Sequence, residues 1–214
     1  KLNITSSVNL ANNQDKGIAI SDNAGYTGDL MAAILKSNPT RSVYAADGKT
    51  YNQAGGIVEP NPVAIVNLTK DRTNTLRALG NIAAELEIID GLKFKTVLGF
   101  DQSLSSRKSA FSKDLALDGV LGIGRLYLRD VEVNNKLWEN YFTYDHSFGK
   151  TTLNALLGYS YQSFDNFGKY ASLANFATSD LDVMTNNLAS ANGGSAPSNV
   201  VNNSYRNFDE LQSY

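Results

Sequence analysis

Apolar and polar residues alternate with a period of two along several stretches of the chain. Between residues 76 and 89, one set of positions carries Leu, Ala, Gly and Ile, while the intervening set is mainly Arg, Asn and Glu. A second alternating stretch, residues 92–101, follows the dipeptide Asp90-Gly91, which favours a two-residue hairpin turn. Because successive side chains of a strand point to opposite faces, the pattern predicts a β-hairpin with one apolar and one polar face.

Three further stretches fit the same pattern. Residues 137–148 and 152–162 flank the turn Gly149-Lys150, and residues 2–11 form another alternating run. Helix remains an alternative for residues 76–89, since Ala, Leu and Glu favour it. The sustained two-residue period favours a strand there, so the sequence predicts about five long antiparallel strands.

The predicted strands are long for a soluble protein, whose strands average about five or six residues. Twelve residues at about 3.3 Å each span roughly 40 Å, which a tilt of about 40° reduces to about 30 Å. The apolar face is aliphatic with aromatic residues such as Phe148, Tyr159 and Tyr161 towards its ends. The predicted fold class is therefore all-β, an antiparallel transmembrane β-barrel segment.

The connections between the predicted strands alternate between tight and long. Outer-membrane barrels have short periplasmic turns and long extracellular loops, so both tight turns are predicted to be periplasmic. One short amphipathic helix is expected around Leu30, Met31, Ile34 and Leu35, ending before Asn38-Pro39. Low-complexity residues 185–204 are expected to be mobile. The predicted extracellular regions are residues 13–73, 105–134 and 165–214.

Composition excludes several functional classes. The 214 residues carry a net charge of -2, so nucleic acid is not the expected partner. The absence of cysteine excludes a disulfide framework, a thiol nucleophile and thiolate metal ligands. No apolar run of about 18 residues predicts a transmembrane helix.

A soluble β-sandwich is the alternative fold, because its inner face also alternates. Strand length and loops of about 30 to 60 residues count against a compact soluble domain. Two functional alternatives to a transporter stay open on the pattern alone. One is a passive porin-like or structural outer-membrane barrel, and the other is a soluble β-rich glycan-binding module.

The sequence predicts no catalytic residue, metal site or cofactor. His146 is the single histidine, and its position in the alternation places it on the lipid-facing side. Aromatic rings in loops or at a strand rim are candidates for stacking on a ligand, although packing within the loops is the more ordinary role. These candidates are Tyr44, Tyr51, Phe164, Phe167 and Tyr170. The charged residues predicted to line the lumen, by mutual pairing or contact with a plug, are Arg77, Glu85, Glu87, Lys93 and Lys95.

Several sequence segments of the chain resemble the SusC/RagA family of TonB-dependent outer-membrane transporters. The resemblance is most specific in residues 35–101 and 137–164, which include LKSNPTRSVY and the hairpin RALGNIAAELEIIDGLKFKTVLGF. The terminal DELQSY also resembles the family. Such barrels have about 22 strands, so residues 1–214 are expected to be part of one barrel domain, about a quarter of it, with both ends pairing with other strands.

The resemblance implies a non-enzymatic importer of oligosaccharides, glycan fragments or peptides in the outer membrane of a Gram-negative bacterium. It also implies a SusD-like surface lipoprotein as a lid, and energy from a TonB complex. The TonB-box segment and plug of such proteins lie N-terminal to their barrels, and no segment of this sequence resembles either. The family resemblance assigns no substrate-binding residue, because the loop contacts of its members vary with the substrate.

Overall fold

One antiparallel sheet of six strands dominates the computed structural model, which describes residues 1–18, 30–53, 60–191 and 201–214. Each strand pairs with the next along the chain. The sheet therefore has the up-and-down order of an outer-membrane barrel wall. The strands are β1 (Leu2–Gly17), β2 (Thr69–Ile89), β3 (Leu92–Phe111), β4 (Arg125–Phe148), β5 (Thr151–Ala174) and β6 (Val201–Ser213).

Both predicted tight turns are present, between β2 and β3 and between β4 and β5. Gly91 has a φ of 80°, and a Cβ atom built on it would lie 2.3 Å from the carbonyl oxygen of Asp145. Only glycine fits this position, both for its backbone conformation and for the available space. The turn sets the register of the first hairpin, in which Glu85 lies opposite Lys95.

The strands are longer than predicted, and the described ranges contain six of them rather than about five. β4 and β5 each have 24 residues, whereas about nine to eleven are enough to cross a bilayer. The predicted loop bounds of 13–73, 105–134 and 165–214 were therefore wrong, since all three ranges contain strand residues. The connections between strands shorten to residues 18–68, 112–124 and 175–200.

The two faces of the sheet differ as the alternation predicted. One face, which we call the apolar face, carries Ile82 of β2, Leu98 of β3 and Trp138 of β4 side by side. These side chains are 49%, 52% and 46% exposed. A broad face of half-exposed large apolar side chains is costly in water and suits lipid contact. The opposite side of the sheet is called the polar face below.

In the described parts of the connections lie three short helices, where the sequence predicted one. The expected helix is confirmed as α1 (Leu30–Lys36). Two helices, α2 (Pro62–Leu68) and α3 (Leu181–Asn186), and a 3-10 turn at Leu188–Ser190 were not predicted from the sequence. Asparagine and aspartate side chains cap α2 and α3, respectively. Among the described residues, no helix is both long and apolar enough to span a bilayer.

Part of the low-complexity stretch 185–204 belongs to regular structure rather than to a mobile loop. Its first residues complete α3 and the 3-10 turn, and its last residues begin β6. Residues 192–200 lie outside the described part of the chain. The predicted mobility therefore fails for the two ends of the stretch.

Two small apolar clusters pack against the end of the sheet that is remote from the tight turns. The first joins α1 and α2 to Phe111 and Tyr127, which belong to the polar face. The second joins Met184 of α3 to Ala110 and Leu126, which lie on the other face. The strand ends are thus held between packed connections on both sides.

Candidate functional site on the polar face

A cavity of about 290 Å³ lies on the polar face, near the end of the strands that is remote from the tight turns. Four adjacent strands contribute to it, so its geometry depends on the register of the sheet. Its lining residues are Arg107, Ser109, Tyr127, Arg129, Tyr170, Asn203 and Tyr205. We call this set the lumenal cavity.

One cross-strand row forms the floor of the lumenal cavity. Arg107 of β3 lies directly opposite Arg129 of β4, which lies opposite Tyr170 of β5, which in turn lies opposite Asn203 of β6. Like charges directly opposite each other destabilise a sheet. The two arginines therefore concentrate positive charge at a point where sheet stability alone would disfavour it.

Asp71 of β2 compensates part of this charge. Its carboxylate accepts hydrogen bonds from Arg107 Nε at 2.9 Å and Arg107 Nη2 at 2.8 Å. Ser109 Oγ donates a further bond of 2.5 Å to the same carboxylate. These contacts hold the Arg107 guanidinium in a fixed plane, while Arg129 is exposed at the cavity.

Aromatic rings form the walls of the lumenal cavity. The rings of Tyr127 and Tyr170 are stacked with centroids 6.2 Å apart, and Phe111 packs edge-on against Tyr127 at 5.9 Å. The Tyr205 ring lies across Gly168, where a Cβ atom would be only 2.2 Å from the ring. The glycine thus leaves the space that lets Tyr205 lie flat over β5.

This arrangement combines planar apolar surface with directed hydrogen-bond donors. Tyrosine rings present flat faces that pack on sugar rings or on peptide side chains, and their hydroxyls can bond to the ligand. Guanidinium groups recognise carboxylates and carbonyl oxygens through two parallel N–H donors. The lumenal cavity is therefore suited to a polar organic ligand and contains no arrangement for covalent chemistry.

The structure does not bring the five predicted aromatic residues together. Tyr170 lies in the lumenal cavity, and Phe164 lies on the same face of β5, three cross-strand rows away. Phe167 lies on the opposite face, with Lys169 Nζ 5.1 Å from its ring centroid. Tyr44 and Tyr51 stack on each other at 5.4 Å within the connection between β1 and β2.

The five predicted charged residues share the polar face with the lumenal cavity. Arg77 donates two hydrogen bonds of 2.8 Å to Asp101. Opposite charges also face each other across β2 and β3, as Glu85 opposes Lys95 and Glu87 opposes Lys93. The register thus supports mutual pairing, and the predicted position in a lumen remains a prediction.

Sequence reasoning missed six residues of the lumenal cavity because it assigned residues 105–134 and 165–214 to loops. No alternation marked the strand there, since residues 105–109 are all polar. The register that brings Arg107 to Arg129, 22 residues later, is not encoded in such a polar stretch.

His146 has an aromatic rather than a metal-binding environment. It lies between Tyr144, with ring centroids 5.9 Å apart, and Phe148, at 4.5 Å. All three residues belong to the apolar face near the tight turn between β4 and β5. Within the described ranges, no group of three or more His, Cys, Asp or Glu residues could hold a metal ion.

The fold and its two faces define the class of protein, which is an antiparallel transmembrane β-barrel segment. Comparison with known proteins supports this class. The chain is 35% identical to TonB-dependent receptor P3 of Formosa agariphila over an alignment of 170 residues. This alignment covers 77% of the chain and 17% of that receptor. No family model matches the chain.

Solved structures agree with the fold. The RagAB peptide importer superposes with TM-scores of 0.66 in its closed-closed state and 0.68 in its open-open state, each at 17% identity. Each match covers 98% of this chain and 23% of the importer chain. The chain therefore belongs to the family of TonB-dependent receptors. Its fold is that of part of the RagAB importer chain, in agreement with the predicted resemblance to the SusC/RagA family.

Proposed function

We propose that the chain forms part of the barrel wall of a TonB-dependent importer in the outer membrane of a Gram-negative bacterium. In this assignment the apolar face contacts lipid and the polar face lines the lumen. The lumenal cavity contacts the substrate, a peptide or an oligosaccharide, as it passes inward. The chain matches less than a quarter of the length of the proteins it resembles, so the activity belongs to the whole receptor.

The lumenal cavity is the observation that supports this proposal most. Its two arginines and three tyrosines come from four strands on the face opposite the exposed apolar side chains. A purely structural wall has no need of two directly opposed arginines, which cost stability. Arg107 is paired with Asp71, whereas Arg129 is exposed at the lumenal cavity, where a ligand's carboxylate or carbonyl oxygen would bind it.

The proposed partners follow from the relatives. The RagAB structures are named as a peptide importer, which makes a peptide one of the two substrate classes to test. A SusD-like lipoprotein would cover the extracellular end, formed by the long connections. The tight turns would then be periplasmic, and the TonB complex would supply energy from that side.

Energy dependence distinguishes this proposal from a passive porin. Cells that carry the intact receptor would be supplied with a defined mixture of peptides and, separately, with a mixture of oligosaccharides. Uptake of one mixture should stop when an uncoupler collapses the proton gradient. Uptake that continues unchanged without the gradient would instead identify a passive pore.

A pair of matched variants tests the role of the lumenal cavity. Changing Tyr127 and Tyr170 together to Ala removes the stacked rings and should weaken uptake about tenfold or more, since each stacking contact contributes about 0.5–1.5 kcal/mol. The control changes Tyr144 and Tyr159, which lie on the apolar face, to Ala. Equal uptake by the wild type and both variants would show that the substrate does not touch the lumenal cavity.

A further inference from the structure

A row of three cations crosses three adjacent strands on the face that carries the apolar side chains. Lys16 of β1 lies directly opposite Arg72 of β2, which lies directly opposite Lys108 of β3. Directly opposed like charges are unfavourable in a sheet. Three in one row indicate a site whose countercharge comes from outside the sheet.

The height of this row along the strands places it just outside the headgroup region of a bilayer, next to the lipid headgroups. On β2 the last aliphatic side chain of the apolar face is Leu76, four residues from Arg72. Four residues span about 13 Å along a strand, or about 10 Å along the membrane normal at a tilt of about 40°. Headgroup layers occupy roughly the 5–8 Å beyond the hydrocarbon on each side of a bilayer. Arg72 therefore lies about 2–5 Å beyond that layer, a distance that the long side chains of arginine and lysine bridge towards the charged lipid groups.

A groove of about 540 Å³ surrounds the row, between the strands and α3. We call it the basic groove. Its lining includes four cations, Lys16, Lys70, Arg72 and Lys108, and two carboxylates, Asp15 and Asp182, which leaves a formal charge of +2.

Packing of α3 fixes one wall of the basic groove. Asp182 forms an ion pair with Lys70, and Lys108 Nζ donates a 3.0 Å hydrogen bond to the carbonyl oxygen of Thr185. Met184, which is fully buried, anchors the helix in the apolar cluster on the same face. The basic groove is thus a shaped site with an ordered wall, rather than a set of scattered surface lysines.

We propose that the basic groove binds the phosphate groups of a phosphorylated glycolipid in the surrounding outer leaflet. Arg72 provides a planar donor fork suited to phosphate, and the flanking lysines add mobile ammonium groups. The lipid's acyl chains would lie along the apolar side chains that begin about 10 Å below the row, at Leu76 of β2. A single lipid thereby satisfies both the charge above and the apolar surface beneath, which a soluble anion does not.

The test measures lipid binding by the intact receptor in detergent, using bisphosphorylated lipid A as the probe and native mass spectrometry as the readout. The variant changes Lys16, Arg72 and Lys108 together to Gln. Each cation near an anionic surface strengthens the binding constant roughly fivefold, so the loss of three should weaken lipid binding about a hundredfold. Dephosphorylated lipid A serves as the second probe. Its binding to the wild type should be about as weak as the binding of bisphosphorylated lipid A to the variant.

Two matched variants separate this site from general charge and folding effects. Changing Lys93, Lys95 and Lys150 to Gln removes the same charge at the opposite end of the strands and should leave binding unchanged. Exchanging Lys and Arg within the row, as K16R, R72K and K108R, keeps the charge and should retain binding within about tenfold. The Gln variant should show the same electrophoretic shift between folded and unfolded barrel as the wild type, which excludes misfolding as the cause of its loss of binding.

Three results would overturn the proposal. The first is equal binding of bisphosphorylated and dephosphorylated lipid, which would leave only apolar contact. The second is an equal loss in the two charge-removing variants, which would indicate an unspecific charge effect. The third is inorganic phosphate displacing the lipid at equimolar concentration, which would assign the basic groove to a free anion.

Discussion

Two apolar residues of β2 allow a direct comparison of the two faces. Ile82 is 49% exposed and Leu79 is 47% exposed, and they point to opposite faces of the same strand. Ile82 lies halfway between Leu76 and Ile88, the ends of the aliphatic run on the apolar face. If lipid covers that face, Ile82 is near the middle of the hydrocarbon layer.

Arginine substitution should therefore have very different effects at the two positions. Ile82→Arg should destabilise the folded barrel by about 2–4 kcal/mol, the cost of a lipid-facing arginine near the bilayer midplane. This corresponds to about a 30- to 1000-fold change in the folding equilibrium. Leu79→Arg should change stability by less than about 1 kcal/mol, because its cross-strand partner is Asp101 and opposite charges there are favourable.

The assay is urea unfolding of the intact barrel in lipid vesicles, followed by the electrophoretic shift between folded and unfolded protein. Ile88→Arg provides a control for depth in the membrane. Because Ile88 lies near the tight turn, an arginine there should lower the free energy of unfolding by only about 0–1 kcal/mol. Equal effects of Ile82→Arg and Leu79→Arg would refute the assignment of the two faces. So would a negligible effect at Ile82.

Further predictions concern the lumenal cavity and α3. Asp71→Asn should lower the free energy of unfolding by about 1–3 kcal/mol in the same urea assay, because Arg107 loses its charged partner; an unchanged midpoint would contradict this. Gly168→Ala should displace the Tyr205 ring and reduce substrate uptake with little change in stability, and wild-type uptake would show that the ring position is unimportant. A hydrogen bond from a lysine of β2, and then its charge, lower the pKa of Asp182. Because the folded pKa is below the unfolded one, this stabilisation is present above about pH 4 and is lost as the pH falls through the folded value. The protection of α3 amides from hydrogen exchange, measured relative to the intrinsic exchange rate at each pH, should fall at low pH in the wild type and stay constant in Asp182→Asn; the same change in protection in both would refute the link.

The alternation of apolar and polar residues predicted the part of the sheet whose sequence is constrained by lipid contact. The hairpin across Asp90-Gly91 and the pairing of an apolar with a polar face are visible because one face must be hydrophobic. The strands continue beyond that zone, where Lys108 on one face and Arg107 on the other are both charged. Backbone pairing maintains the sheet there, and a polar–polar alternation carries no hydrophobicity signal.

The lumenal cavity was harder to predict for a related reason. Tyr170 was identified as a candidate, but its neighbours Tyr127 and Arg129 reach it only through the register of β4 and β5. The sequence prediction assigned residues 125–134 and 165–174 to loops, so it paired neither segment with the other. The helix α2 was predictable, since Asn61-Pro62 combines a capping residue with proline at the first helical position.

The central claim is that β2 forms part of a membrane wall with lipid on one side and a water-filled lumen on the other. Since the chain contains no cysteine, single cysteines can be introduced at each position from 76 to 88 and exposed to a membrane-impermeant thiol reagent in intact outer membranes. We predict that odd-numbered positions react and even-numbered positions are protected, in step with the observed faces. Uniform reactivity along the stretch, or protection of the odd-numbered positions instead, would contradict the account.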